Sequence, residues 1–192
     1  MATPRVFVIT GPSGVGKGTL IRLLQEQLPG LVLATSATTR EPRPGERDGV
    51  DYHFLDADEF ERRVENGDFV EHADYSGRRY GTLRSELERG LATGAGVVLE
   101  IEVQGARQVR EAIPDAVAVF IAPPDEAALR ERLTARGTDS ERQIERRIQT
   151  ARDELAAQDE FRHVIVNDDL SRASGELVAL VDRALHDDRA PT

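Results

Sequence analysis

A glycine-rich stretch directly after a short apolar segment constrains this chain more than any other feature. Residues 5–10, RVFVIT, are typical of a buried strand, and Gly11-x-x-x-x-Gly16-Lys17 follows at once, before leucines spaced for one helix face. Glycines let the backbone curl so that several N–H groups face one anion, and a helix N-terminus adds its positive dipole end. The pattern therefore predicts a phosphate-binding loop for a nucleoside triphosphate. Its candidate binding residues are Gly11, Ser13, Gly14, Val15, Gly16, Lys17, Gly18 and Thr19.

Lys17 is the only lysine among the 25 basic residues of the chain. The excess of arginine over lysine can simply reflect genome composition. Because that bias did not remove Lys17, this lysine is more informative. A lysine ammonium is a compact charge on a flexible stem, and it reaches between phosphates where the planar fork of an arginine does not fit. Such loops usually place Ser or Thr directly after the lysine to hold magnesium, but Gly18 stands there. Thr19 is therefore the candidate magnesium ligand.

The bulk composition narrows the class of protein. A length of 192 residues suits one buried domain with inserted subdomains, and a net charge of -10 disfavours binding to nucleic acid or to an anionic membrane. The absence of cysteine excludes disulfides and thiolate metal sites. No stretch approaches the roughly 18 apolar residues of a membrane-spanning helix. A cytoplasmic protein is expected, with neither nucleic acid nor membrane as a partner.

Apolar runs alternate with helical patterns along the chain, which favours an α/β fold with a parallel sheet covered on both faces. The predicted strands are 5–10, 31–36, 96–103, 116–122 and 163–167, and the predicted helices are 17–28, 83–93, 104–112, 125–135, 141–158 and 172–187. The polar stretch 37–82 is too long for a plain loop and predicts an inserted lobe. A second polar excursion covers 134–150.

The inserted stretch carries groups suited to a second anion. Arg40 and Arg43 lie three residues apart on a proline-rich and glycine-rich turn, and Tyr52 and Tyr80 follow. Guanidinium and phenol groups donate hydrogen bonds to phosphate oxygens. Taken alone, the same residues are also typical of a solvated surface.

Six stretches, taken in order, resemble the guanylate kinase family over nearly the whole chain. They are GPSGVGKGT, SATTREPRPGERDGVDYHF, GDFVEHADYSGRRYGT, LEIEVQG, RLTARGTDS and VIVNDDL. The second and third are the specific ones, since phosphate-binding loops occur in many unrelated enzymes. The resemblance implies the reaction ATP + GMP = ADP + GDP with magnesium. It also implies a P-loop nucleoside-monophosphate kinase fold: a five-stranded parallel core at 1–35, 83–125 and 151–192, a GMP-binding lobe at 36–82 and a lid at 126–150.

The resemblance also implies the substrate contacts. It places the GMP phosphate on Arg40, Arg43, Tyr52 and Tyr80, and the guanine ring near Ser36, Glu71, Thr82 and Glu100. Guanine presents N1–H and an amino group as adjacent donors, which one carboxylate accepts together, whereas adenine has a bare acceptor at N1. A site built for one hydrogen-bonding edge rejects the analogue strongly.

Three lid arginines and one loop residue complete the implied site. Arg132, Arg136 and Arg147 are expected over the triphosphate in the closed lid, where positioned cations stabilise phosphoryl transfer, together with Lys17 and Arg43. Asn167 is expected beside the ATP base, although Asn-Asp-Asp is also an ordinary turn signal. Arg142 and Arg146 are interpreted as solvated surface.

One departure and two alternatives stay open. Glu102 stands where the family usually has Asp, and it either contacts GMP or reaches magnesium through water. The alternatives to a GMP kinase are a non-catalytic scaffold and a kinase for another monophosphate. Lys17 and the lid arginines argue against the first, and Glu71 with Thr82 and Ser36 argues against the second. Deoxy-GMP is a candidate secondary substrate, and the oligomeric state stays open.

Overall fold

Five apolar segments of the sequence form one parallel sheet at the centre of the molecule. The computed structural model describes residues 5–75, 77–135 and 141–186. In chain order the strands are β1 (Arg5–Thr10), β2 (Leu31–Leu33), β3 (Ala37–Thr38), β4 (His53–Phe54), β5 (Phe69–Tyr75), β6 (Arg78–Leu83), β7 (Gly96–Glu100), β8 (Val117–Ala122) and β9 (His163–Val166). The helices are α1 (Lys17–Gln27), α2 (Ala57–Glu65), α3 (Arg84–Thr93), α4 (Val103–Ala112), α5 (Glu126–Ala135), α6 (Glu141–Leu155) and α7 (Leu170–His186), with a 3-10 turn at Gln158–Glu160.

The central sheet has the strand order β2-β7-β1-β8-β9, and its neighbouring strands run parallel. This order and direction confirm the predicted five-stranded parallel core. Because the strands run the same way, their carboxyl ends share one edge of the sheet, where ligands bind in such folds. The glycine-rich loop follows β1, the middle strand, and therefore lies at the centre of that edge.

Alternate side chains of β1 enter two separate hydrophobic cores, because neighbouring residues of a strand point to opposite faces. Phe7 and Ile9 pack with apolar residues of α1, α5, α6 and α7. Val6 and Val8 pack on the other face with apolar residues of α3 and α4. All four side chains are buried. Burial on both faces explains why β1 is a continuous apolar run instead of an alternating one.

A second sheet of four strands, in the order β4-β3-β6-β5, lies within the predicted 36–82 lobe. β3 pairs in parallel with β4, whereas β6 is antiparallel to both β3 and β5. Its small core centres on Phe60 of α2, whose ring stacks on Phe69 with centroids 4.5 Å apart. Helix α2 begins after Asp56, whose side chain accepts a hydrogen bond from the backbone N–H of Glu59.

Two predicted strands end three residues earlier in the structure than in the sequence pattern. The strand predicted at 31–36 ends at Leu33, and the one predicted at 96–103 ends at Glu100. Val103 is instead the first residue of helix α4. Its apolar side chain packs in the same hydrophobic core as Val6 and Val8. Glu102 is the N-cap residue of α4. It therefore lies at the switch from strand to helix on the ligand-binding edge.

Across the described ranges, no helix combines the length and the apolar character that crossing a membrane requires.

Candidate active site

A cleft of about 1200 Å³ opens at the carboxyl edge of the central sheet. Its walls come from three parts of the chain: the glycine-rich loop, the four-stranded sheet with its connections, and helix α6. The predicted site residues that line it are Ser13, Gly14, Gly16, Lys17, Gly18, Thr19, Ser36, Arg43, Tyr52, Glu71, Tyr80, Glu100, Glu102 and Arg147. Residues predicted from distant parts of the sequence therefore meet in one space.

The glycine-rich loop holds a curled backbone that other residues would not tolerate. Gly11 has φ 130°, and a Cβ there would lie 2.2 Å from the carbonyl oxygen of Ile121. Gly16 has φ 97° and is the N-cap residue of α1. Val15 is fully buried in the core and anchors the loop from beneath. The loop is thus fixed by its backbone and by packing, with its N-terminal helix end toward the cleft.

Lys17 is only 6% exposed, and its ammonium folds over the loop. It donates hydrogen bonds to the carbonyl oxygens of Gly11 and Pro12. A cation is therefore held directly above the curled backbone, where an anion would be bound.

Two residues decide how magnesium fits here. Gly18 faces Glu100, and a Cβ there would be in ordinary van der Waals contact with a carboxylate oxygen at 3.8 Å. Thr19 is exposed on the cleft wall and supplies a hydroxyl, a hard oxygen donor of the type that Mg²⁺ takes. No group of three or more His, Cys, Asp or Glu side chains with metal-binding geometry occurs within 5–75, 77–135 and 141–186. The donor set fits an ion that is bound mainly by substrate phosphates and water.

The far end of the cleft carries a buried carboxylate. Glu71 is 3% exposed and accepts a hydrogen bond of 2.8 Å from the Thr82 hydroxyl, across the β5–β6 pair. Burial raises the pKa of Glu71 to about 7, while the bonds from Thr82 oppose the rise. Gly105 of α4 lies against this carboxylate, because a Cβ there would lie 2.2 Å from Glu71 Oε2.

Arginine and tyrosine side chains lie between these two ends. Arg40 donates to Glu46 at 2.9 Å, and its guanidinium lies 5.2 Å from the centre of the Tyr52 ring. Tyr52 packs edge-on against Tyr80, with centroids 6.2 Å apart. Arg43 lines the cleft, whereas Arg40 lies behind the cleft-lining residues in its pair with Glu46. Burial raises the pKa of Tyr52, so this phenol stays a hydrogen-bond donor at neutral pH.

Helix α6 closes the cleft opposite the four-stranded sheet. Arg147 donates from Nη2 to Ser13 Oγ at 2.6 Å and so joins α6 to the glycine-rich loop. Arg136 lies outside the described residues. Arg146, which the sequence interpretation left on solvated surface, lines the cleft. Arg146 is exposed, which agrees with that interpretation, and its position on the cleft wall was not anticipated from the sequence.

Arg132 and Asn167 support the loop from below. Arg132 donates to the carbonyl oxygens of Asn167 and Val15 at 2.7 and 3.3 Å. Asn167 is buried, and its amide donates to the Val15 carbonyl at 2.7 Å. These contacts hold the loop conformation.

Two further acids lie on the wall formed at the end of β7. Burial raises the pKa of Glu100, and the charge of Lys17 opposes this rise. Glu102 is half-buried on the same wall. Sequence reasoning missed Gly105, Tyr75 and Asp153, of which the last two line the cleft. Gly105 and Tyr75 fall inside the quoted family stretches, so the stretches themselves were a signal.

Comparisons with known proteins indicate one family. The family model for guanylate kinase matches residues 3–184. A guanylate kinase of Frankia casuarinae is 55% identical over 174 residues, or 91% of this chain and 95% of that protein. One of Rubrobacter xylanophilus is 49% identical over 183 residues, or 95% of this chain and 96% of that protein.

Solved structures agree with the sequence matches. The crystal structure of guanylate kinase from Anaplasma phagocytophilum has a TM-score of 0.79 and 30% identity, and covers 97% of this chain and 88% of that chain. The chain belongs to the guanylate kinase family.

Proposed function

We propose that this protein transfers the γ-phosphoryl group of ATP to GMP, giving ADP and GDP. The observation that carries the proposal is the cleft itself, which joins a phosphate-binding loop to a buried carboxylate within one space. Membership of the guanylate kinase family supports the same activity. Two nucleotides bound from opposite ends would meet with their phosphates at the centre.

Guanine binds at the buried end. Glu71 accepts hydrogen bonds from N1–H and from the exocyclic amino group, and Thr82 holds its carboxylate in place. Ser36 and Glu100 also line the cleft and supply further polar contacts to the ring, and Glu102 contacts GMP there. Adenine would leave the Glu71 carboxylate facing a bare acceptor, at the cost of an unpaired buried group.

The GMP phosphate lies toward the centre of the cleft. Arg43, Tyr52 and Tyr80 line this part and donate to its oxygens. Arg40 reaches the same phosphate by exchanging its partner Glu46 for the incoming anion. The acceptor phosphate has a second pKa near ~6 and is already ionised at neutral pH, so the transfer needs no strong general base.

ATP binds with its phosphates in the glycine-rich loop. Backbone N–H groups of the loop and the start of α1 surround the phosphates, and Lys17 moves from the loop carbonyls to the phosphate oxygens. Thr19 would hold Mg²⁺, which when bound neutralises charge on the phosphates. Arg132 and Asn167 hold the loop in shape, with Asn167 beside the base.

Most of helix α6 belongs to the proposed lid at 126–150, and its last turn lies in the core. Arg147 leaves Ser13 for the migrating phosphoryl group when the lid closes. Closure excludes water, which otherwise competes with GMP as acceptor. The division into a core at 1–35, 83–125 and 151–192, a GMP lobe at 36–82 and this lid follows from these roles.

Initial rates of ADP release test the proposal. ATP and magnesium are supplied with GMP, deoxy-GMP, AMP, CMP or UMP in turn. Rapid turnover with GMP, and slower turnover at most with deoxy-GMP, is the expected result. Turnover with AMP instead would reject the role of Glu71, and a folded protein inactive with every monophosphate would support a non-catalytic scaffold.

A further inference from the structure

A buried carboxyl group lies behind the guanine end of the cleft and has no task in the proposed transfer. Glu154, in the last turn of α6, is 9% exposed and is not among the cleft-lining residues. Its side chain lies within hydrogen-bonding distance of Glu102, which does line the cleft. The backbone N–H of Ser13 is close enough to the Glu154 carboxyl to oppose the rise of its pKa. Glu154 therefore connects the glycine-rich loop to a residue of the guanine end.

Two carboxyl groups in contact need a proton between them. Oε2 of Glu102 and Oε2 of Glu154 are both buried, and neither receives a hydrogen bond from the described residues. Two ionised carboxylates offer each other only acceptors, and like charges repel strongly away from water. A single proton converts one acid into an O–H donor and makes the contact a strong, charge-assisted hydrogen bond.

The surroundings place this proton on Glu154. Glu102 is half-buried at the cleft wall, while Glu154 lies deeper. The charged and titratable groups that face Glu154 are Glu102 at the start of α4, Tyr75 at the end of β5 and Lys17 of the loop. Burial, together with Glu102, raises the pKa of Glu154 to about 9, while Lys17 opposes the rise.

Glu102 also lies close enough to Glu71 for its charge to act on that carboxyl. We propose that Glu154 is a positioning residue for GMP: it is protonated at neutral pH and donates its O–H to Glu102. The bond fixes the Glu102 carboxylate as an acceptor beside Glu71 at the guanine end. This role rests on the proposed function.

Two variants of Glu154 distinguish the loss of its hydrogen-bond donor from the loss of its carboxyl group. Glu154→Gln keeps the shape, and its amide donates to Glu102. Glu154→Ala removes the donor. We expect KM for GMP to stay within about threefold of wild type in Glu154→Gln and to rise about tenfold in Glu154→Ala, since a hydrogen bond to a charged group is lost. In both variants kcat and KM for ATP change less than about threefold.

Glu88→Gln, at an exposed position of α3, is the matched control for removing a carboxyl group. Circular dichroism melts check that each variant folds. The proposal is overturned if Glu154→Gln raises KM for GMP as much as Glu154→Ala does, or if neither variant changes it while Glu71→Gln does. A wild type that turns over no GMP removes the proposed function and the GMP role of Glu154 together.

A stability measurement tests the proton without any nucleotide. A carboxyl whose pKa is raised in the folded state keeps its proton while the unfolded chain releases its own, so wild-type stability falls as pH rises from about 4.5 to about 9. Glu154→Gln cannot titrate at this position. The Tm difference between Glu154→Gln and wild type should therefore grow in favour of the variant from about pH 5 to about pH 8. A difference that does not change with pH would show that Glu154 is ionised and would overturn the proposal.

Discussion

The two ends of the cleft are built by different means. At the phosphate-binding loop the backbone forms the site: glycines with positive φ curl the chain, and buried Val15 and Asn167 hold it in place. At the guanine end, side chains form the site. Glu71 and Thr82 are directly opposite on β5 and β6, and Gly105 of α4 leaves room for the carboxylate. In the proposed function, the first end therefore suits any triphosphate, and the second discriminates between bases.

This contrast has a kinetic consequence. A change in the loop removes cationic or backbone contacts to the transferred phosphoryl group, so it lowers kcat. A change at the guanine end weakens binding of GMP before and during the transfer alike, so it raises KM for GMP and leaves KM for ATP nearly constant.

Lys17→Ala should have the largest effect. Loss of the Lys17 ammonium, which lies over the loop, is expected to lower kcat by about 1000-fold, because charge developing on the phosphoryl group loses a positioned partner. The fold should persist, since the Lys17 ammonium donates its hydrogen bonds to the loop carbonyls of Gly11 and Pro12. Steady-state kinetics and a thermal melt measure both quantities.

Arg22→Ala is the control for Lys17, because Arg22 is an exposed cation on the same helix that pairs with Glu26. It should retain the wild-type kcat. Near-normal turnover in Lys17→Ala would refute the role of the loop.

Glu71→Gln comes next and acts on the other end. An amide cannot accept from both guanine donors, and the loss of hydrogen bonds to a charged acceptor should raise KM for GMP by about 10- to 100-fold. KM for ATP should stay within about twofold. An equal rise in both KM values would mean that Glu71 supports the whole cleft and would break the division into two ends.

Gly105→Ala tests the same division between the two ends of the cleft with a smaller structural change. A methyl group 2.2 Å from Glu71 Oε2 forces the carboxylate to turn away, and KM for GMP should rise about tenfold. The helix itself should gain stability, because alanine is favoured over glycine by about 1 kcal/mol in a helix interior. A variant that melts no lower but binds GMP more weakly would show that Gly105 serves the site.

Gly175→Ala in α7 is the matched control, since a Cβ there has no heavy atom within 4 Å. It should melt slightly higher with unchanged kinetics. If Gly105→Ala also leaves KM for GMP unchanged, the space beside Glu71 has no function in binding.

The difference between the two ends also decides what the sequence could predict. The loop is local: one strand, seven residues from Gly11 to Lys17 and one helix are contiguous, so the motif alone located it. The family resemblance, which the comparisons confirm, supplied Glu71 and Thr82. The pattern itself did not, because their pairing depends on the register of β5 with β6.

Long-range packing accounts for the features that were missed. β3 and β4 have two residues each, which is too short to produce a recognisable alternating hydrophobic pattern in the sequence. Glu154 sits on the buried stripe of α6, where an acid is indistinguishable in sequence from a surface residue at a helix end. Only the fold shows that it meets Glu102 and the loop.

The pH dependence of GMP binding is the smallest expected effect, and it belongs to the guanine end alone. Because the pKa of Glu71 is raised to about 7, lowering the pH protonates the acceptor that guanine requires. KM for GMP should rise about threefold between about pH 7.5 and about pH 6.5, as the ionised fraction falls. The GMP phosphate titrates near ~6 and contributes in every variant, so Glu71→Gln isolates its share. If the wild type and Glu71→Gln follow the same pH profile, the Glu71 carboxyl does not control binding in this range.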